Sequence, residues 1–229
     1  MYTVALIAQK GGTGKTTIAV SLAVAAGQVG MTSLIFDLDP QATACNWKDR
    51  RKLDSPVVID AQPSRLAAAL EKAAENGVDF VVIDTPARSE QSALAAAKAA
   101  DLVLIPCRPQ AYDLETIPNT KEILALAGHK PALAILNAVP AIGDRHEQAR
   151  AFLNRLEIPV CPYMLGHRAV FGDAGAVGQA AQEYDVKGKG AAEILQVYKY
   201  TLSTLIQLSK EQPKQEHHEQ QSQSVRAAG

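Results

Sequence analysis

Residues 3–30 read TVALIA, then QKGGTGKT, then TIAVSLAVAAGQVG. An apolar run, a glycine-rich turn with a lysine and a threonine, and a long alanine-rich segment follow one another directly. That succession leaves few folds open. A β-strand must hand over to a helix through a loop whose glycines allow close backbone approach. Successive N–H groups in such a loop point inward and the helix N-terminus adds positive potential, so the unit forms a cradle for phosphates. In this spacing Lys15 reaches the β- and γ-phosphates of a nucleotide, and Thr16 offers its hydroxyl to Mg²⁺. The candidate nucleotide-binding residues are therefore Gly11, Gly12, Thr13, Gly14, Lys15, Thr16 and Thr17. Lys10, near the opening of the loop, is surplus to this cradle.

Further short, β-branched runs recur along the chain: TSLIFDLD (32–39), FVVIDTP (80–86), DLVLIPC (101–107), ALAILNAV (132–139) and, more weakly, PVCPYML (159–165). They are nearly continuous in apolar residues, as strands buried on both faces are. Helical segments are expected between them at 16–30, 63–77, 90–100, 114–128 and 145–157, with Gly30, Gly77 and Gly128 as C-terminal stops. A last helix is expected from about Gly190 to Leu208. Alternating β and α predicts an α/β fold, a three-layer α/β/α sandwich with a mostly parallel sheet, and the phosphate loop that opens it makes this resemble the P-loop NTPase arrangement. One nucleotide-binding domain is expected over 1–209. The segment KEQPKQEHHEQQSQSVRAAG (210–229) has almost no large apolar side chain and is expected to be a disordered tail. Its two adjacent histidines, His217 and His218, lack supporting metal ligands.

Composition narrows the setting. The formal net charge is −1, so contact with a polyanion must come from a local patch. Three widely spaced cysteines and no CxxC pair argue against a disulfide framework or a structural metal site and fit a reducing cytoplasm. MYTVALIA has no basic n-region and no stretch approaches 18 apolar residues, so neither a signal peptide nor a membrane span is expected.

Two strand ends carry carboxylates. FDLDPQ (36–41) closes one apolar run and VVIDTP (81–86) another. In a parallel sheet both lie on the edge that receives ligands. Asp84 follows four apolar residues, the usual form of a strand-end aspartate that holds Mg²⁺. Asp37 and Asp39, two apart, point to one face. Such a like-charge pair is costly without a nearby cation, which Mg²⁺ and the lysines supply.

The Lys10-bearing loop, FDLDPQAT (36–43) and VVIDTPAR (81–88) together resemble the deviant Walker A ATPases of the ParA/MinD family. DPQATACNW (39–47) is most similar to the compact ParA-type partition ATPases, and nine residues before Lys10 are too few for the helix-turn-helix domain of larger relatives. The resemblance implies ATP and Mg²⁺ as cofactors. It implies that Lys15 holds phosphates, that Thr16, Asp37 and Asp84 serve the metal, and that Asp39 activates or orients the attacking water. Asn137, at the end of a late strand, would read adenine, whose edge matches an amide's donor and acceptor. Pro109 would line the base pocket. The lysine at the position of Lys10 crosses to the phosphates of a second subunit, a cation supplied in trans like an arginine finger. ATP would then favour a homodimer, and hydrolysis would release it.

The family resemblance also implies ATP-dependent, sequence-non-specific DNA binding, an adaptor of ParB type, and a cytoplasmic, nucleoid-associated location. Candidate DNA-binding residues are Arg145, Arg150, Arg155, Arg168, Lys187 and Lys189. Phosphate contacts of this kind carry no sequence information and weaken with salt. The expected function is a dimeric ATPase switch that partitions or positions DNA. The alternatives are a positioning ATPase for a non-DNA cargo and a MinD-like membrane-cycling ATPase. The tail EQPKQEHHEQQSQS has no apolar face, which disfavours the latter. DTPARSEQSALAAA (84–97) lacks the cysteines of the iron–sulphur reductases of the same fold. A small-molecule kinase or amidoligase would leave Lys10 unexplained.

Overall fold

The computed structural model describes residues 1–211 with their side chains and 212–227 as backbone. The expected disordered tail lies, past Glu211, outside the residues described in full. The chain runs β1 (Tyr2–Leu6), α1 (Lys15–Gln28), β2 (Ser33–Asp37), α2 (Thr43–Arg50), β3 (Val57–Asp60), α3 (Leu66–Glu75), β4 (Phe80–Asp84) and α4 (Glu90–Ala99). It continues through β5 (Leu102–Cys107), α5 (Ala111–Leu114), α6 (Ile117–Leu126), β6 (Ala132–Leu136), α7 (Arg145–Arg155), α8 (Val170–Ala176), α9 (Ala181–Tyr184) and α10 (Lys189–Ala227).

The strands form one sheet in the order β3-β2-β4-β1-β5-β6, and every pairing within it is parallel. The central strands β2, β4 and β5 are buried along their whole length because each face of the sheet is covered. On one side Ala5, Phe36, Ile83 and Ile105 meet Leu70 of α3, Ala96 of α4, Ile123 of α6 and Leu153 of α7. On the other, Val4, Ile35, Val82 and Leu104 meet Ile18 and Leu22 of α1 and Ile194 and Tyr198 of α10. This is the expected three-layer sandwich.

Two elements differ from the sequence expectation. Residues 159–165 do not form a strand; they lie against β6 through one isolated bridge, Ala134 to Val160, and through the Leu165 N–H, which donates to the Leu136 carbonyl at 2.9 Å. Pro159 and Pro162 have no N–H to give a ladder. Conversely β3, only four residues long, is an added edge strand with Val57 and Ile59 exposed. It is too short and too open for hydrophobic patterning to reveal.

The register matters most for the site. β4 inserts between β1 and β2, pairing Leu6 with Asp84 and Asp37 with Asp84. The start of the phosphate loop and both strand-end carboxylates therefore lie in one row at the sheet's C-terminal edge, where α/β folds bind ligands.

Candidate functional site

The loop between β1 and α1 is shaped before any ligand arrives. Gly14 has φ +91°, and a Cβ there would collide with the Asn137 amide. The left-handed backbone is what calls for glycine, and any side chain there would also displace the Asn137 amide. Thr13 is buried, with its hydroxyl donating to the Lys10 carbonyl at 3.4 Å. Lys15 opens α1 and is only 7% exposed. Its ammonium donates to the Ala8 carbonyl at 3.4 Å, folding the side chain back over the loop. Burial lowers the Lys15 pKa, and the charges of Asp84 and Asp39 oppose that shift. Both carboxylates are therefore within electrostatic reach of Lys15.

Asp84 is fully buried, and neither carboxylate oxygen has a hydrogen-bond partner among the described residues. Burial pushes its pKa up to about 7; Asp37 and Asp39 add to the rise, while Thr16 and Lys15 oppose it. The Thr16 hydroxyl adjoins the carboxylate but falls short of a hydrogen bond. A buried acid with two idle acceptors is costly unless something outside the chain uses them. No cluster of three or more potential metal ligands occurs among the described residues. Mg²⁺ keeps several waters and takes one or two protein oxygens together with phosphate oxygens. Thr16 and Asp84 fit it.

A pH consequence follows. The raised pKa means the nucleotide-free native state binds more protons than the unfolded chain between about pH 4 and pH 7, so its stability falls as pH rises through that window. Asp84→Asn removes the charge while keeping the shape. Thermal unfolding without Mg²⁺ at pH 8 should find the variant more stable, by on the order of 2–4 kcal/mol from a shift of roughly three pKa units. Below the ordinary carboxylate value of 3.8 the two proteins should converge. Equal stability at pH 8 would mean that Asp84 already has a partner.

Asp37 departs from the expected metal role. Its Oδ1 accepts the Asp39 N–H at 3.0 Å, and its Oδ2 accepts those of Ala44 and Cys45 at 2.9 and 3.1 Å. Three of a carboxylate's roughly four acceptor positions are thus spent on backbone. The cause is the sharp turn after β2, which aims the start of α2 at the end of its own strand. Asp37 anchors α2 and keeps only its charge beside Asp84. The far side of α2 is tied down as well. Trp47 Nε1 donates to the Gln179 carbonyl at 3.0 Å, and Arg51 forms a paired bond to Glu183 at 2.7 and 2.8 Å. Asp39 is held between these anchors, half-buried, with Oδ1 accepting the Gln41 N–H at 2.9 Å.

Asn137 stands against the loop: its amide donates to the Thr13 carbonyl at 2.7 Å. Pro109 does not share a cavity with it. Pro109 lines a cavity of about 670 Å³ with Tyr112, Arg145, Phe152 and Arg155. A separate cavity of about 210 Å³ opens beside Thr16 and Thr17, walled by Trp47 of α2 and Phe171 of α8. The structure thus brings Asn137 to the phosphate loop and Pro109 to the α5–α7 side.

The six basic candidates also separate. Arg168 is paired with Glu193 at 2.5 Å, and Arg150 donates to the Cys161 carbonyl at 3.2 Å. Arg145 and Arg155 are exposed on α7 and share the larger cavity. Lys187 lines a different hollow, beside α1 and α10, and Lys189 starts α10. The sequence offers them together as candidates because it gives no means of locating α7 relative to α10.

Two residues at the loop escaped the sequence reading. Arg108, just past β5, donates to the Gly12 carbonyl. Asp113 of α5, 3% exposed, accepts the Lys10 ammonium at 2.8 Å. The available signal was their place: both lie within six residues of the end of a strand that runs beside β1.

Residues 4–179 match the family model described as the CobQ/CobB/MinD/ParA nucleotide binding domain. The chain is 28% identical over 199 residues to the Maintenance of carboxysome distribution protein A of Halothiobacillus neapolitanus, covering 84% of this chain and 92% of that one. It is 30% identical over 172 residues to the chromosome-partitioning ATPase Soj of Thermus thermophilus, covering 62% and 69%. Among solved structures, apo McdA from Cyanothece superposes with a TM-score of 0.73 at 20% identity, over 88% of this chain and 99% of that one. MinD with Mg-ADP from Pyrococcus horikoshii superposes with a TM-score of 0.70 at 20% identity, over 87% and 95%. At such identities the solved structures speak for the fold.

Proposed function

Because the chain belongs to the CobQ/CobB/MinD/ParA nucleotide-binding family, whose ParA and MinD members are P-loop ATPases, we propose that it is a Mg²⁺-dependent ATPase acting as a dimeric positioning switch. The observation that carries the reading is Asp84: a buried carboxylate with both oxygens idle, beside Thr16 and Lys15 at the head of a preshaped phosphate loop. ATP and Mg²⁺ are the ligands that use such a constellation, and bound Mg²⁺ would neutralise developing phosphate charge. Lys15 holds the phosphates. Thr16 and Asp84 hold the metal and its waters. Asp39 takes up or orients the proton of the attacking water. Asn137 moves from the Thr13 carbonyl toward the adenine edge.

The second subunit enters through Lys10 and Gly11. A Cβ on Gly11 would meet nothing within 4 Å, and its φ is not positive. The single chain gives no reason for glycine there, whereas the close approach of a second phosphate loop does. We assign Lys10 to the partner's phosphates in the ATP-bound dimer.

The switch positions a large cargo, DNA itself or a protein body, using DNA as the track and an adaptor of ParB type as the stimulus. DNA partition has a named relative in Soj, and a protein cargo has named relatives in the two carboxysome distribution proteins. Among the described residues no helix is long and apolar enough to cross a membrane. Arg145 and Arg155, both exposed on α7 and lining one cavity, are a pair able to meet phosphate backbone together. The test is retention on immobilised, sequence-random DNA. Retention should require ATP and fall by about 10²–10³ between 50 and 200 mM salt if four to six phosphates are contacted in the dimer. Arg145→Ala with Arg155→Ala should weaken it uniformly across sequences. Retention independent of nucleotide would overturn the switch.

A further inference from the structure

Lys10 is not free in the single chain. Its ammonium lies 2.8 Å from Asp113 Oδ2 and 5.6 Å from the centre of the Tyr112 ring, so α5 holds it on two sides. Asp113 is 3% exposed and Lys10 32%. The carboxylate is therefore nearly dry while the lysine remains open to solvent. Asp113 itself cannot follow Lys10 outward. Its N–H donates to the Gln110 carbonyl at 3.0 Å, and its carbonyl accepts the Thr116 hydroxyl at 2.8 Å. Immediately before α5, Arg108 grips the Gly12 carbonyl, two residues from Lys10. The segment 108–113 thus holds the opening of the phosphate loop at two points.

From this geometry we infer that Asp113 is a positioning residue for Lys10: it retains the ammonium within its own subunit and yields it only to a stronger anion. The inference rests on the trans role proposed above for Lys10. The physical reason is the cost of stripping a nearly buried carboxylate of its cation. An ammonium leaving Asp113 abandons a charge that water cannot readily solvate. A triphosphate on a facing subunit offers several negative charges and compensates for that loss, whereas a diphosphate offers fewer. Dimer closure therefore depends on the γ-phosphate because Lys10 is already engaged. A lysine free in solvent would discriminate less. Asp113 touches neither substrate nor reacting atoms; it acts through Lys10 alone.

Asp113→Asn keeps the side chain's size and removes its charge. In sedimentation experiments with the full chain, Mg²⁺ and a slowly hydrolysed ATP analogue, the variant should dimerise at a midpoint about 5–10-fold lower than wild type, the scale expected for losing a partly buried ion pair. It should also show some dimer with ADP, under conditions where wild type is expected to stay monomeric. Structural damage at α5 would raise the midpoint, so a gain of dimer is a readout that damage cannot imitate. An unchanged or raised midpoint in a folded variant would overturn the inference. A second measurement needs no substitution. In nucleotide-free wild type, an amine-reactive reagent read by mass spectrometry should modify Lys10 several-fold more slowly than the exposed Lys187. Equal rates would mean that the pair does not persist, and the inference would fall. Lys10→Ala separates the two levels. If it dimerises as wild type, the trans reading itself fails. If it is defective while Asp113→Asn behaves as wild type, only the role of Asp113 fails.

Discussion

Replacing Asp39 by alanine is expected to lower steady-state ATP hydrolysis by about 10²–10⁴, the contribution of one positioned general base, while leaving ATP binding and dimerisation intact. The reason lies in how Asp39 is held. Its N–H is fixed by Asp37 Oδ1 and its own Oδ1 accepts the Gln41 N–H, so the side chain is oriented by its own turn. Its charge acts on Lys15, raising that group's pKa against the effect of burial. Alanine removes the acceptor for the water proton but leaves untouched the Asp37 oxygens that anchor α2. The variant should therefore accumulate as an ATP-bound dimer, seen by size-exclusion chromatography with light scattering and by nucleotide content after gel filtration. Turnover within threefold of wild type would remove Asp39 from the mechanism.

The second large effect is expected at Lys10. Lys10→Ala should bind ATP within a few-fold of wild type, because Lys15 and the loop N–H groups form the cradle without it. ATP-dependent dimerisation and hydrolysis should both be impaired, with hydrolysis falling by about 10²–10³, somewhat below the 10³–10⁵ of an arginine finger because an ammonium lacks the planar fork. Fluorescent-ATP titration separates the first expectation from the second. Lys10→Arg is the informative companion. It keeps the charge but changes the geometry toward both Asp113 and phosphate, so only partial recovery is expected. Wild-type dimerisation and turnover in Lys10→Ala would leave the lysine with no role beyond its contact with Asp113.

These two residues illustrate unequal legibility. Lys15, Thr16 and Gly14 were readable because their roles are local: a strand, a tight loop and a helix start follow one another within a dozen residues. Asp84 was readable because four apolar residues before it made a buried strand and its position made a strand end. The idle state of its oxygens was not readable, since that depends on what Leu6, Thr16 and Asp37 bring around it. Asp37, like Asp84, was readable as an acid that closes an apolar strand. Its carboxylate is occupied only because the chain turns back and presents the N–H groups of Ala44 and Cys45. Asp113 looked like an ordinary acid in a short helix, for its meaning comes from a lysine 103 residues away.

By itself, then, the amino-acid sequence determined the alternation of strands and helices, the phosphate loop, and which acids close strands. These follow from periodicity, glycine geometry and neighbours a few residues apart. Only the tertiary structure decided the strand order that sets Asp37 and Asp84 side by side, the separation of the basic residues onto different faces, and the attachment of Lys10 to Asp113. Each of those depends on which distant segments pack together. Packing is set by the summed burial of the two faces of the sheet, which no local run of residues encodes.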